Sequence, residues 1–260
     1  MRFGVIGGLG PMATAYYLEL MIRMTDAGRD QEHPEIIIMN IPSIPDRTAF
    51  ILGRSQEDPL PPMVQLGKQM KEMGATVLAT PCITAHYFHE SLQEGAGLPL
   101  IHGIRCTAQT LFDAGVRKVG LMATDGTVQS GIFQRQVEQL GMELILPDEN
   151  GQKGVMMLIY DQVKAGIAPD MALFSSIRDE LRGKGAQAVV LGCTELSLLK
   201  KQQDILLSAP ALHKVNISLH AFEANDLEIP FGDYLDAAFR FGVAAQGKVL
   251  ISYRLWNEGG

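Results

Sequence analysis

A short pattern occurs twice in this chain, in the same order and at nearly the same offset. Arg2-Phe3-Gly4-Val5-Ile6 is matched by Lys118-Val119-Gly120-Leu121-Met122, 116 residues later. Gly74-Ala75, an apolar run and Pro81-Cys82 are then matched by Gly185-Ala186, an apolar run and Gly192-Cys193, 111 residues later. Chance similarity between buried strands is the alternative for either match alone. Two in order indicate two related α/β units, each opening with a strand and later offering a thiol just past another strand. Units of this kind can face each other across a cleft with one thiol on each side.

Between these landmarks, short apolar runs alternate with amphipathic segments, the pattern of a parallel α/β sheet. Strands are expected over Phe3–Ile6, Ile36–Met39, Thr76–Thr80, Val119–Ala123, Glu143–Leu146 and Ala188–Leu191. Helices are expected over Ala13–Thr25, Pro62–Met73, Ile104–Ala114, Ser130–Leu140, Gly154–Lys164 and Met171–Lys184. Gly95-Ala96-Gly97-Leu98-Pro99 closes the first half, giving an N-terminal domain over 1–103 and a second over 104–210. The remainder, 211–260, fits the repeat poorly. It reads as a helix over Asp233–Ala245 and a strand over Lys248–Leu255, expected to return to the N-terminal domain.

The chain has 260 residues, 47% of them hydrophobic, ample for a packed core without disulfide or metal staples. Its three cysteines are widely spaced and odd in number, so they form no disulfide framework. A reducing cytoplasm is the expected compartment. A net charge of −7 argues against nucleic acid as a partner, because phosphate binding needs a basic footprint. No apolar run approaches the ~20 residues of a membrane helix, and the N-terminus lacks a signal-peptide cleavage pattern.

Gly8-Leu9-Gly10-Pro11-Met12-Ala13 follows a strand and opens a helix, matching G-x-G-x-x-A. A dinucleotide site would also require a carboxylate at the end of the second strand, which here ends in Met39-Asn40. A helix N-terminus bounding a small anionic substrate, with Leu9 and Gly10 beside it, explains the same glycines. So does a bare tight turn.

Cys82 stands in Thr80-Pro81-Cys82-Ile83-Thr84-Ala85-His86, and Cys193 in Leu191-Gly192-Cys193-Thr194-Glu195. Each follows a strand at an expected helix start with a threonine close behind, a setting that lowers a thiol's pKa toward neutrality. Cys106, inside a helix, reads as core. Cys82, His86 and His89 have a spacing uncommon for a closed metal site, so the histidines read as exposed or capping and no metal is expected. Arg47, in a proline-punctuated loop, and Lys164, at a helix end, are candidate carboxylate-binding cations. A solvated Arg47 and a C-terminal capping Lys164 account for the same residues.

The motifs together resemble the aspartate/glutamate racemase family, in its aspartate racemase branch. The resemblance rests on Gly7-Gly8-Leu9-Gly10-Pro11 with Ala13-Thr14, Ile44-Pro45-Asp46-Arg47-Thr48, Pro81-Cys82 with Thr84-Ala85-His86, and Leu191-Gly192-Cys193-Thr194-Glu195, and covers roughly residues 1–203. It implies two Rossmann-like parallel-sheet domains related by pseudo-twofold symmetry, with a cofactor-independent active site between them. It implies that Cys82 and Cys193 are two opposed bases and that Arg47 and Lys164 hold a side-chain carboxylate. Thr84, Thr124, Thr127 and Thr194 match positions near the substrate's α-carboxylate or amine. A homodimer is implied as well. The family usually has Asn directly after the first cysteine; this chain has Ile83, which bears on substrate choice.

Racemisation requires a base on one face of the α-carbon and an acid on the other, and two thiols serve in either direction. Glu195 can orient Cys193 or accept its proton; as the first carboxylate of a helix it needs neither role. The rival readings are a cysteine-dependent isomerase or decarboxylase of a small dicarboxylic acid, and a weakly active protein that binds acidic amino acids.

Overall fold

The computed structural model describes residues 2–199, 215–220 and 252–255, with side chains up to residue 199. The chain divides into two compact units within the helix that starts at Gly103, one running to Cys106 and the other beginning at Thr107.

The first unit contains β1 (Arg2–Gly7), α1 (Pro11–Met24), β2 (Glu35–Asn40), α2 (Arg47–Ile51), α3 (Leu60–Glu72), β3 (Val77–Ala79) and α4 (His89–Ala96). α5 (Gly103–Asp113) then crosses into the second unit. The strands form a parallel sheet in the order β2-β1-β3, with Gly4 opposite both Ile37 and Leu78. Alternation along β1 and β3 decides which helices cover which face. Phe3, Val5, Val77 and Ala79 pack with Tyr17 and Met21 of α1, while Ile6 and Leu78 pack with Met63 and Met70 of α3 and Leu92 of α4. A sheet covered on both faces explains why its strands read as nearly continuous apolar runs.

The second unit contains β4 (Lys118–Met122), α6 (Asp125–Ser130), α7 (Ile132–Gln139), β5 (Glu143–Ile145) and α8 (Glu149–Met156). A π-helical segment, Met157–Val163, follows, and then α9 (Met171–Gly183), β6 (Ala188–Leu191), α10 (Thr194–Leu199), β7 (Val215–His220) and β8 (Ser252–Leu255). Its sheet has the order β5-β4-β6-β7-β8, in which β4 pairs in parallel with β5 and β6, and β6 with β7. One face packs Met122, Val189 and Leu191 against Leu158, Ile159, Phe174 and Ile177.

The order β2-β1-β3 recurs as β5-β4-β6: the opening strand is central, and the strand that precedes a cysteine lies beside it. The glycines of the repeated motif have one physical reason. A Cβ on Gly4 would stand 2.8 Å from Leu78 and Met70, and one on Gly120 would stand 3.1 Å from Ala186 and Val189. A side chain at either glycine would crowd both the neighbouring strand and the covering helix, through Met70 of α3 or Leu181 of α9.

Three expectations are corrected. The expected helix over Ser130–Leu140 is interrupted at Gly131, whose φ of +66° ends α6 and starts α7 in a new direction. The helix expected over Gly154–Lys164 begins earlier, capped by the Asp148 carboxylate, and widens to π geometry from Met157. β7 lies in a segment where the sequence suggested no strand. The helix expected over Asp233–Ala245 lies outside the described residues; of the strand expected over Lys248–Leu255, Ser252–Leu255 is described and is β8. Among the described residues, no helix is long and apolar enough to cross a membrane.

Candidate active site

In the first unit the glycine-rich turn links β1 to α1. Gly8 has a φ of +94°, and a Cβ there would stand 2.4 Å from the backbone of Ile41, so only glycine fits. The Gly8 N–H donates to Thr14 Oγ1 (2.9 Å), whose hydroxyl donates to the Gly10 carbonyl (3.0 Å). Pro11 opens the helix, where a missing N–H costs nothing. Thr14 therefore fixes this turn, although the sequence reading treated it only as part of a motif.

Arg47 is not solvated. It is the first residue of α2, which the Asp46 carboxylate caps by accepting the Ala49 N–H (2.7 Å), and it is 6% exposed. Its guanidinium donates from Nη2 to the Leu9 carbonyl (2.9 Å) and from Nη1 to those of Pro45 (2.9 Å) and Ile44 (3.4 Å). One cation thus ties the glycine-rich turn to the Ile44-Pro45 loop and places a buried positive charge beside Leu9.

Cys82 lies just past β3 and is buried, as are Ile83 and Thr84. The chain here forms a 3-10 turn, Thr84–Phe88, before α4, so no α-helix starts directly after this cysteine. His86 and His89 are buried, which overturns the exposed role expected for them as one of two alternatives. His86 Nε2 accepts the Gly103 N–H (3.0 Å), which leaves Nδ1 to donate to the Cys82 carbonyl (3.1 Å). The sequence signal was the four-residue spacing of Cys82 and His86, which brings a side chain back onto its own turn. Among the described residues, no group of three or more His, Cys, Asp or Glu could hold a metal ion.

In the second unit Gly192 makes room for the cysteine loop. A Cβ there would stand 2.5 Å from Leu121, and the Gly192 N–H donates to the Met122 carbonyl (2.7 Å). Cys193 follows, buried, ahead of α10. Its thiol donates to Glu195 Oε2 (2.8 Å), which also accepts from the Thr194 hydroxyl (3.3 Å). Glu195 Oε1 faces Lys164 Nζ at 3.6 Å. Lys164 stands at the end of the π-helical segment; its N–H donates to the Ile159 carbonyl five residues back (3.0 Å), and its Nζ lies 4.9 Å from the centre of the Tyr160 ring. The wider turn aims Lys164 at Glu195, a use of π geometry common at functional sites.

The thiol's electrostatics reverse the sequence expectation. Burial pushes the Cys193 pKa well above its ordinary value and the Glu195 carboxylate adds to the rise, while Lys164 opposes it. Desolvation and a like charge outweigh a six-residue helix. In the resting protein Cys193 is a thiol. Thr124 caps α6, accepting the Thr127 N–H (3.3 Å), and the two buried hydroxyls lie 3.2 Å apart.

Each unit thus carries a buried cysteine in a loop at the carboxyl end of a parallel strand, where α/β sheets place their ligands. Fold and loops together define an α/β protein with paired cysteine loops. Residues 6–221 match the family model described as Asp/Glu/hydantoin racemase, and the chain belongs to that family.

The broad specificity amino-acid racemase RacX of Bacillus subtilis (strain 168) is 22% identical over 227 residues, covering 84% of this chain and 97% of that protein. The solved structure of Picrophilus torridus aspartate racemase superposes with a TM-score of 0.67 at 28% identity, covering 78% of this chain and 86% of that one. An aspartate racemase homologue from Pyrococcus horikoshii OT3 gives a TM-score of 0.63 at 26% identity, covering 78% and 90%.

Proposed function

We propose that this chain is an amino-acid racemase acting on aspartate or glutamate, with Cys82 and Cys193 as the two acid/base groups. The observation that carries the reading is the recurrence, in a chain of this family, of a buried cysteine just past the strand beside the opening strand of each unit. In the proposed reaction the substrate's α-carbon lies between the thiols. One thiolate takes the α-proton and becomes a thiol, and the electron pair is held on the α-carbon and its carboxylate. The opposite thiol then delivers its own proton to the other face and becomes a thiolate. The substrate leaves inverted, with protons and charge conserved.

Cys193 suits the protonated role, being held as a thiol against Glu195. Glu195 is a second station for that proton, and Lys164 balances its charge. Thr84, Thr124, Thr127 and Thr194, with Leu9, Gly10 and Ile83, are the proposed neighbours of the α-carboxylate and amine. Such donors stabilise charge that develops on the carboxylate. Arg47 and Lys164 are the proposed cations for the side-chain carboxylate. Two thiols supply all the acid/base chemistry required, so the reaction is proposed to need no cofactor and no metal.

The name of the Bacillus subtilis relative favours a second reading, in which the substrate range is broader than the acidic amino acids. A panel of L- and D-aspartate, glutamate and alanine, followed by circular dichroism and by α-proton exchange into deuterated water, tests both. Inversion confined to the acidic pair supports the first reading. Comparable inversion of alanine supports the second, and no exchange with any of them contradicts the racemase proposal.

A further inference from the structure

Three histidines cluster behind the Cys82 loop. The His86 ring lies 5.5 Å from that of His102 and 6.2 Å from that of His89, and the His89 and His102 rings are 4.4 Å apart. His89 Nε2 donates to the Leu100 carbonyl (2.8 Å), and His102 Nδ1 accepts the Arg105 N–H (3.2 Å). Only His86 reaches the cysteine loop. Its Nε2 accepts from Gly103, the first residue of α5, and its Nδ1–H donates to the Cys82 carbonyl, which also accepts the Ala85 N–H (3.2 Å).

We infer that His86 is a positioning residue: as the neutral imidazole protonated on Nδ1, it ties the Cys82 carbonyl to the start of α5 and so holds the thiol in its working orientation. The link depends on the tautomer. If His86 carried both protons, its Nε2–H would face the Gly103 N–H, donor against donor, and the tie to α5 would open. The surroundings keep the ring neutral. Burial, then the neighbouring His89, lowers its pKa to about 4. The charged groups of the adjoining elements are Glu90 beside His89 on α4 and Arg105 on α5, which disfavours protonation of His89 and His102.

The inference rests on the racemase reading for its effect on turnover, so the test has one arm that does not. The rate of Cys82 alkylation by iodoacetamide, followed by peptide mass spectrometry with Cys193 as internal reference, reads the orientation of the thiol directly. His86→Ala is expected to change the Cys82 rate by roughly three- to tenfold, the worth of one buried hydrogen bond, and to leave Cys193 unchanged. His86→Asn keeps a donor near the Cys82 carbonyl and is expected to restore much of the rate.

In the turnover arm, His86→Ala should lower kcat with little change in KM, and His86→Asn should lose the part of the acid limb that belongs to imidazole protonation. Long-range nitrogen NMR of the wild type should show His86 as the Nδ1–H tautomer at neutral pH. The inference is overturned if folded His86→Ala alkylates at Cys82 as the wild type does, or if His86 carries its proton on Nε2. A wild type without turnover contradicts the racemase reading, while the alkylation and NMR results still decide the role of His86.

Discussion

The Cys193 thiol donates a 2.8 Å hydrogen bond to a carboxylate two residues away, that of Glu195. The carboxylate is itself buried, at 3% exposure, and balanced by Lys164. This arrangement keeps a proton on sulfur, and the direction of two substitutions follows from it. Glu195→Gln removes the charge that raises the thiol pKa, so alkylation of Cys193 should begin at lower pH. Lys164→Ala removes the opposing charge, so it should begin at higher pH. A pH series of alkylation read at Cys193 checks both, and shifts in the same direction would contradict the assignment.

Lys164→Ala should also destabilise the protein. A buried carboxylate that loses its cation keeps its desolvation cost. Because Lys164 is itself 24% exposed and 3.6 Å away, the expected loss is about 1–2 kcal/mol rather than the larger value of a fully buried pair. Urea unfolding of the variant beside Lys164→Met separates the lost charge from the lost stem, and the two should be destabilised alike.

Arg47→Ala leaves the carbonyls of Leu9, Pro45 and Ile44 without their donors, at a cost of about 1–3 kcal/mol. Arg47→Lys keeps the charge but not the planar fork and should recover only part of this stability. If Arg47 also grips a side-chain carboxylate, kcat/KM for aspartate or glutamate should fall by roughly 10- to 200-fold in Arg47→Ala, beyond any loss on alanine. Thermal melts and the three-substrate panel read the two effects separately.

The histidine cluster sets an acid limit on stability. In an unfolded chain a histidine titrates near 6.5. Burial, followed by neighbouring histidines, lowers His86 to about 4 and His102 to about 3, and burial lowers His89 as well. Between these values the unfolded chain binds more protons than the folded one, so stability falls as pH falls. It is fully present above about pH 6.5 and is lost progressively toward pH 4 and below. Melting temperature should therefore decline across that window, and His102→Leu should flatten the decline. A wild-type melting temperature unchanged between pH 7 and pH 4.5 would contradict it.

Much of the frame was legible because its causes are local. Short apolar runs marked seven of the eight described strands, all but β7, and Ala188–Leu191 was placed without error. The recurrence of Gly4 as Gly120 helped reveal the repeat, because at both positions a side chain would crowd the neighbouring strand and the covering helix. The environment of Cys193 was not legible. Helix position and an adjacent threonine both suggested a lowered pKa, but burial and Glu195 reverse it, and burial is a property of the folded core. The π-helical turn that aims Lys164 leaves no periodic trace distinct from an α-helix over one turn. His86 looked like a surface residue because its partner Gly103 lies 17 residues away, in an element that only folding brings near.

The central claim is that two thiols act on opposite faces of one carbon. The most direct measurement follows racemisation and α-proton exchange from each enantiomer in deuterated water, with the wild type, Cys82→Ser, Cys193→Ser and Cys106→Ser. Cys106 is buried inside α5 and no part of either cysteine loop, so its variant should retain most activity. Cys82→Ser and Cys193→Ser should each abolish racemisation, and any exchange that survives should be confined to one enantiomer, a different one for each variant. Two-way racemisation persisting at a substantial fraction of the wild-type rate in either variant would contradict the two-thiol mechanism.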